Sequence, residues 1–134
     1  MPLPATSLYA ALLAWLFLLL SLRVIRLRQR HGILLGTSHR LVERAVRAHG
    51  NCAEYGPLGL LLLGLLEGMG LPPWGVHALG TALLAGRAVH AFGISREPEA
   101  LRWRVAGMAL TFALLGLGGA ALLGLVLADA AGRL

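Results

Sequence analysis

Arg47, Asn51 and Glu54 stand at positions i, i+4 and i+7 of the stretch "RAHGNCAEYGPLGLLLLGLLEG" (residues 47–68), and they run directly into leucines. At roughly 100° per helical residue, Arg40, Glu43, Arg44, Arg47, Asn51 and Glu54 all fall within about 60° of Arg47. Further along, the same face becomes Leu58, Leu61, Leu62 and Leu65, while His49 points the opposite way. A second set, Arg87 and His90, lies in "GRAVHAFGI" (86–94), and Arg104 and Arg26 fall close to the same rim. A guanidinium forms paired hydrogen bonds with a carboxylate, and a carboxylate among arginines can take an ammonium. Two intramembrane arginines, Arg47 and Arg87, against the single Glu54 leave positive charge in excess. That balance suits a ligand with two carboxylates and one ammonium. The competing reading is mutual neutralisation, with Glu54 paired to Arg47 or Arg87 as an adhesive between helices.

The elements that must position these groups follow from composition. The chain has 134 residues, of which 57% are hydrophobic and 13% charged, with mean hydropathy +0.75. A soluble domain this small cannot hide so much apolar surface. A bilayer can, since about 20 helical residues cross its hydrocarbon core. There is room for four crossings and little else, which predicts one all-α, integral membrane four-helix bundle over residues 1–134. The expected spans are about 4–24, opened by Pro2 and Pro4; 47–66; 74–94, after the breaker "LPPW"; and 105–128. The second is decisive. Its uninterrupted apolar run, Tyr55–Leu66, would fall roughly 12 Å short of a full crossing. From Arg47 to Leu66 the reach is roughly 30 Å, so Arg47, Asn51 and Glu54 belong to the membrane. Pro57 cannot donate to the backbone, which frees the Ala53 carbonyl beside the polar stripe and predicts a bend there.

Charge sets the orientation. There is no lysine, and nine arginines fall in the two connections expected on one side: Arg23, Arg26, Arg28, Arg30, Arg40, Arg44, then Arg96, Arg102 and Arg104. The opposite side has Arg133 alone. By the positive-inside rule the two basic connections face the cytoplasm and both termini face away from it. The same bias accounts for the net charge of +6. No aromatic interleaving or DNA-binding motif accompanies the arginines, so nucleic acid is not an expected partner, whereas anionic lipid headgroups are. The N-terminus lacks the basic lead of a secretory signal. Cys52 is the sole cysteine and allows no disulfide framework; it reads as a small packing residue beside Asn51, or else as a reactive thiol. No metal-ligand spacing, phosphate loop or serine elbow is present. His31, His39, His49 and His77 are scattered and read as interfacial or packing residues.

Glutathione carries two carboxylates and one ammonium. "ERAVRAHGNCAEYGPLGL" resembles the second-helix signature of the MAPEG family, the membrane-associated proteins in eicosanoid and glutathione metabolism, with Arg47, Asn51, Glu54, Tyr55 and Pro57 in place. "GRAVHAFG" resembles the third-helix motif and "RVAGMALTF" the start of the fourth, and the small bacterial branch is the nearest likeness. The resemblance implies a homotrimer with glutathione as co-substrate, bound between subunits near the cytoplasmic face of the inner membrane. It implies Arg47, Asn51, Glu54 and Tyr55 as glutathione contacts, joined by Arg87 and His90 and, from the first helix, Arg26 with Arg23 next. Arg104 would lie by the thiol, with Arg102 as the alternative. The implied activity is a glutathione transferase or peroxidase acting on lipophilic electrophiles or lipid hydroperoxides, in detoxification.

The alternatives are a non-catalytic membrane scaffold that binds glutathione or lipid in the same cleft, and a small transporter. The first span has no acidic residue, which tells against the transporter. Tyrosines common in the family's third helix correspond to Phe92 and Ile94, which have no hydroxyl. Gly116, Ala120 and Gly124 form a small-residue face that subunit packing or packing within the protomer explains equally well.

Overall fold

The structure, a computed structural model, describes residues 2–98 and 100–132. Four helices account for nearly all of them: α1 (Pro4–His31), α2 (Arg40–Gly68), α3 (Pro73–Ser95) and α4 (Leu101–Gly132). Each runs past the span read from the sequence, and α2 continues through Pro57 without a break. Arg133, which was to mark the opposite side, lies outside the described residues.

The ends of the helices have local causes. Pro4 opens α1, where a missing N–H costs nothing, but Leu3 at the cap offers no side-chain acceptor. Glu67, at the far end of α2, takes that role: its two carboxylate oxygens accept from the Ala5 and Thr6 N–H groups at 2.9 and 2.8 Å. At the other end of α2, the His39 imidazole accepts from the Leu41 N–H at 3.2 Å and caps the helix.

The packing is diamond-shaped. α2 and α3 touch one another and both other helices, whereas α1 and α4 do not meet. Among the described residues α1 and α4 are also long and apolar enough to cross a bilayer by length and composition, each with a window of mean hydropathy 2.2. Those two helices thus occupy opposite corners, with α2 and α3 between them. Leu13 and Leu20 of α1, Ala48 and Cys52 of α2, Leu83, Ala91 and Ile94 of α3, and Leu114 of α4 form the main core cluster. The outward faces are apolar as well, with Trp15, Leu19, Trp74, Leu117 and Leu123 all more than half exposed. An apolar exterior on this scale is what a lipid solvent requires.

α3 and α4 come together most closely. Gly86 on α3 meets Gly107 on α4 while Gly93 meets the Trp103–Arg104 backbone, and a methyl group built on Gly107 would lie 2.5 Å from the His90 backbone nitrogen and 2.6 Å from the Gly86 carbonyl. The two backbones can touch at this level because neither helix has a side chain there. Tyr9 fastens α1 to α3 on the opposite side, its hydroxyl donating to the His77 carbonyl at 2.9 Å beside the Thr81 hydroxyl.

Candidate functional site

At the end of the bundle that carries the basic connections, α2, α3 and α4 diverge around a chamber of about 780 Å³. Ligand pockets usually lie between about 300 and 1,000 Å³. All six residues of the polar face of α2 line it: Arg40, Glu43, Arg44, Arg47, Asn51 and Glu54. His90 and Ile94 come from α3 and Arg104 from α4, and Thr37 stands at the entrance. The charge balance of the lining is four arginines to two glutamates, which favours an anion.

The charged groups divide into two kinds. Arg44 is buried and donates to the Ile94 carbonyl at 3.0 Å; with Arg40 it also meets Glu97, at 3.4 and 2.8 Å. Arg40 and Glu97 are well exposed, so their pairing adds little to stability. By contrast, Arg47 and Glu54 are exposed to the chamber, and among the described residues neither has an ion-pair or hydrogen-bond partner. Their spacing is one reason. Groups seven residues apart on a helix are separated by roughly 10 Å of rise, and the pairing spacings are three and four. The neutralisation expected as the competing reading, Glu54 with Arg47 or Arg87, is absent among the described residues.

Arg87 stands behind the chamber wall. It is 1% exposed and donates to Asn51 Oδ1 on α2 and to Thr111 Oγ1 on α4, with the Gly107 carbonyl at 3.4 Å. Its guanidinium also lies 5.2 Å from the centre of the Tyr55 ring, which in turn meets Phe112 edge-on. Arg87 and Tyr55 therefore belong to an internal network joining α2, α3 and α4, and Asn51 links that network to the chamber. The remaining arginines resolve just as clearly. Arg23 donates to the Ser95 hydroxyl and is half-buried, while Arg26 is exposed on α1 away from the chamber. Arg102 lies over the Trp103 ring, outside the chamber, and Arg104 lies within its wall.

A second, apolar crevice of about 300 Å³ adjoins the first. Leu101, Val105, Met108, Ala109 and Phe112 of α4 line it, together with His90 and Arg104, which also line the charged chamber. The two spaces thus share His90 and Arg104 in their walls, and His90 Nδ1 lies 3.4 Å from the Arg104 carbonyl. Sequence periodicity on α2 could not reveal this crevice, because it arises from a face of α4 and the crossing of α4 over α3. Among the described residues no group of three or more metal-ligating side chains occurs. Cys52 is buried in the core, 3% exposed.

A helical bundle with lipid-compatible outer faces and a charged chamber at one end defines an integral membrane protein. The sequence profile of the MAPEG family matches residues 6–124, and the chain belongs to that family. It is 37% identical over 111 residues to the inner membrane protein YecN of Escherichia coli strain K12, covering 82% of this chain and 83% of that one. The YecN of Escherichia coli strain CFT073 matches to the same extent. Taken with the two apolar helices, these relatives identify an integral inner membrane protein.

Proposed function

We propose that this protein is a membrane-embedded glutathione transferase, with peroxidase activity toward lipid hydroperoxides, working as a homotrimer. The observation that carries the reading is the shared wall: Arg104 and His90 border both the charged chamber and the apolar crevice. A reaction between a charged thiol tripeptide and an apolar electrophile needs such a boundary, with a cation at it. Arg47 and Glu54, open toward the chamber, would take a carboxylate and the ammonium, and Asn51 would add a polar contact. Arg104 would stabilise the thiolate. A free thiol titrates near 8.5, and each unit by which its pKa is lowered corresponds to about 1.4 kcal/mol in favour of the anion. The thiolate would then attack carbon of a molecule that enters the crevice from the bilayer, forming C–S as the leaving group departs. At a peroxide oxygen it would instead break O–O, giving an alcohol and a sulfenic acid that a second glutathione converts to disulfide and water.

Gly116 and Gly124 support the trimer, because they are exposed with open space around them, so packing within the protomer does not use them. Arg26, exposed on α1, would then reach the chamber of a neighbouring subunit. Tyr55, Arg87 and His90 support the site as the wall behind and beside the ligand.

Thermal unfolding of the purified protein with rising glutathione tests the reading. A ligand that binds only the folded state stabilises it by mass action, by about 2.7 kcal/mol at a hundred times its Kd. Stabilisation in the wild type that is lost in Arg47→Ala and Glu54→Gln would support the site. Turnover of a lipophilic electrophile that disappears in Arg104→Ala, with binding retained, would separate an enzyme from a binding scaffold. No stabilisation at millimolar glutathione in a folded protein would refute the proposal.

A further inference from the structure

The connection between α1 and α2 is built to display two leucines. Gly32, at φ +64°, reverses the chain after His31, and the Ile33 N–H donates back to the Arg28 carbonyl at 2.9 Å. Arg28 Nη1 then donates to the Leu34 carbonyl at 3.4 Å. Gly36, at φ +82°, turns the chain a second time, and the His31 and His39 rings stack at the base with centroids 3.6 Å apart. The result is a compact closed loop. Between its two left-handed glycines, Leu34 is 97% exposed and Leu35 90%, the highest values among the exposed large apolar side chains described. Left-handed backbone is comfortable for glycine and strained for other residues, so the presentation is fixed by the chain itself.

Depth gives the loop its solvent. About 20 residues cross the hydrocarbon core, so α1, entering near Pro4, leaves it near Val24. Arg28 lies four residues on, roughly 6 Å further out, within the headgroup layer. Because the loop folds back onto Arg28, Leu34 is held at that level and does not project into the aqueous phase. Arg28 and Arg30 on the last turns of α1 supply positive charge beside it.

We propose that residues 32–38 form an interfacial anchor: Leu34 and Leu35 sink among the acyl chains of the leaflet on the basic side, while Arg28 and Arg30 hold the phosphates of anionic glycerophospholipids. Apolar side chains at the headgroup boundary, flanked by arginines, bind such a surface through buried area and charge together. Thr37 leads out of the same loop and Arg40 begins α2, and both line the charged chamber. The anchor therefore fixes the chamber entrance at the membrane surface.

The test uses the full chain carrying Leu35→Cys in a Cys52→Ala background, labelled with the fluorophore NBD and placed in nanodiscs. In phosphatidylglycerol discs the emission should be shifted to the blue of its value in water, and quenched by lipids bearing a nitroxide near the glycerol end of the acyl chain. Quenching should weaken in phosphatidylcholine discs and on adding Arg28→Gln with Arg30→Gln. Water-like emission in phosphatidylglycerol discs would overturn the anchor. So would shielded emission without lipid quenching, which would mean that a second copy covers the leucines. Equal quenching in both lipids would overturn the role of the arginines. Native mass spectrometry of unlabelled protein gives an independent reading: Leu34→Ser with Leu35→Ser should retain fewer phosphatidylglycerol molecules than the wild type, and an unchanged count would overturn the proposal.

Discussion

Gly107→Ala should damage the site without touching the chamber lining. The added methyl group would sit 2.5 Å from the His90 backbone nitrogen and 2.6 Å from the Gly86 carbonyl, whereas ordinary contact begins at 3.4 Å. The obstacles are backbone atoms, so no side-chain rotation can relieve them. α4 would have to move away from α3 by about 0.9 Å, the difference between those two distances. A gap of 0.5–1 Å forfeits roughly a quarter to a half of each contact's dispersion energy. Overpacking costs typically about 1–3 kcal/mol, and an obstruction made of backbone places this case near 3. Arg104 precedes Gly107 by one turn, and its carbonyl lies 3.4 Å from His90 Nδ1, so the same displacement opens the wall between chamber and crevice. Unfolding in mixed micelles with rising sodium dodecyl sulfate should show the loss of stability, and glutathione should stabilise the variant less than the wild type. Gly107→Ala with wild-type stability and wild-type ligand response would refute the inference that α3 and α4 meet backbone to backbone at this level.

Gly116→Ala is the contrasting substitution, since nothing lies within 4 Å of the added methyl group; protomer stability should hold or rise by up to about 1 kcal/mol, while a change of oligomeric mass by light scattering would place Gly116 at a subunit contact. Arg87→Leu should cost about 1–2 kcal/mol in the same detergent titration, because intramembrane side-chain hydrogen bonds average roughly 0.6 kcal/mol each and reach about 1.7, and the folded fraction should still respond to glutathione. Glu67 lies just past the second span, where burial opposes its charge but hydrogen bonds from Thr6 and Ala5 prevail and hold its carboxyl below the ordinary value. A depressed folded pKa means that its stabilisation is complete above the unfolded value near 4.3 and is lost as pH falls through the lower folded value. Glu67→Gln should therefore be less stable than wild type at neutral pH and show a shallower loss on acidification, measured as unfolding midpoints from pH 6 down to pH 3.

The polar face of α2 was legible because one number, the helical period, decides which residues share a side: the six residues gathered by that period all line the chamber. What periodicity cannot supply is the pairing between helices. Glu54 and Arg87 are both charged and fall inside the expected spans, yet Arg87 is taken by Asn51 and Thr111. Thr111 carries no sequence signal of its own, since a buried threonine in an apolar helix looks like any other small residue. The choice between Arg102 and Arg104 was likewise open, because two residues on a helix differ by roughly 200° and only the crossing of α4 over α3 decides which one turns inward. Glu67 was missed, although the absence of a capping side chain at Leu3 was a usable sign that α1 must borrow an acceptor. Of the four histidines expected at interfaces or in packing, His49 packs against Phe17 and His77 beside Tyr9, while His39 caps α2 and stacks on His31.

Arginines of identical charge do opposite work in this bundle, and depth separates them. Arg87 lies eight residues inside the end of α3, roughly 12 Å in, where water cannot solvate it. A guanidinium there needs acceptors from the protein at all times, and Asn51, Thr111 and the Gly107 carbonyl provide them. A residue so engaged cannot be released to a ligand without cost, which makes Arg87 a fastener whose removal weakens the fold. Arg47 opens the expected second span from the basic side and faces a chamber large enough to admit water. It can therefore remain unpaired at little cost, and so can Glu54 two turns deeper. The bundle uses neutral acceptors for the arginine it must bury and leaves one cation and one carboxylate open toward the chamber. Adhesion between helices through this face would have joined Glu54 of α2 to Arg87 of α3, and Arg87 is instead held by Asn51 and Thr111.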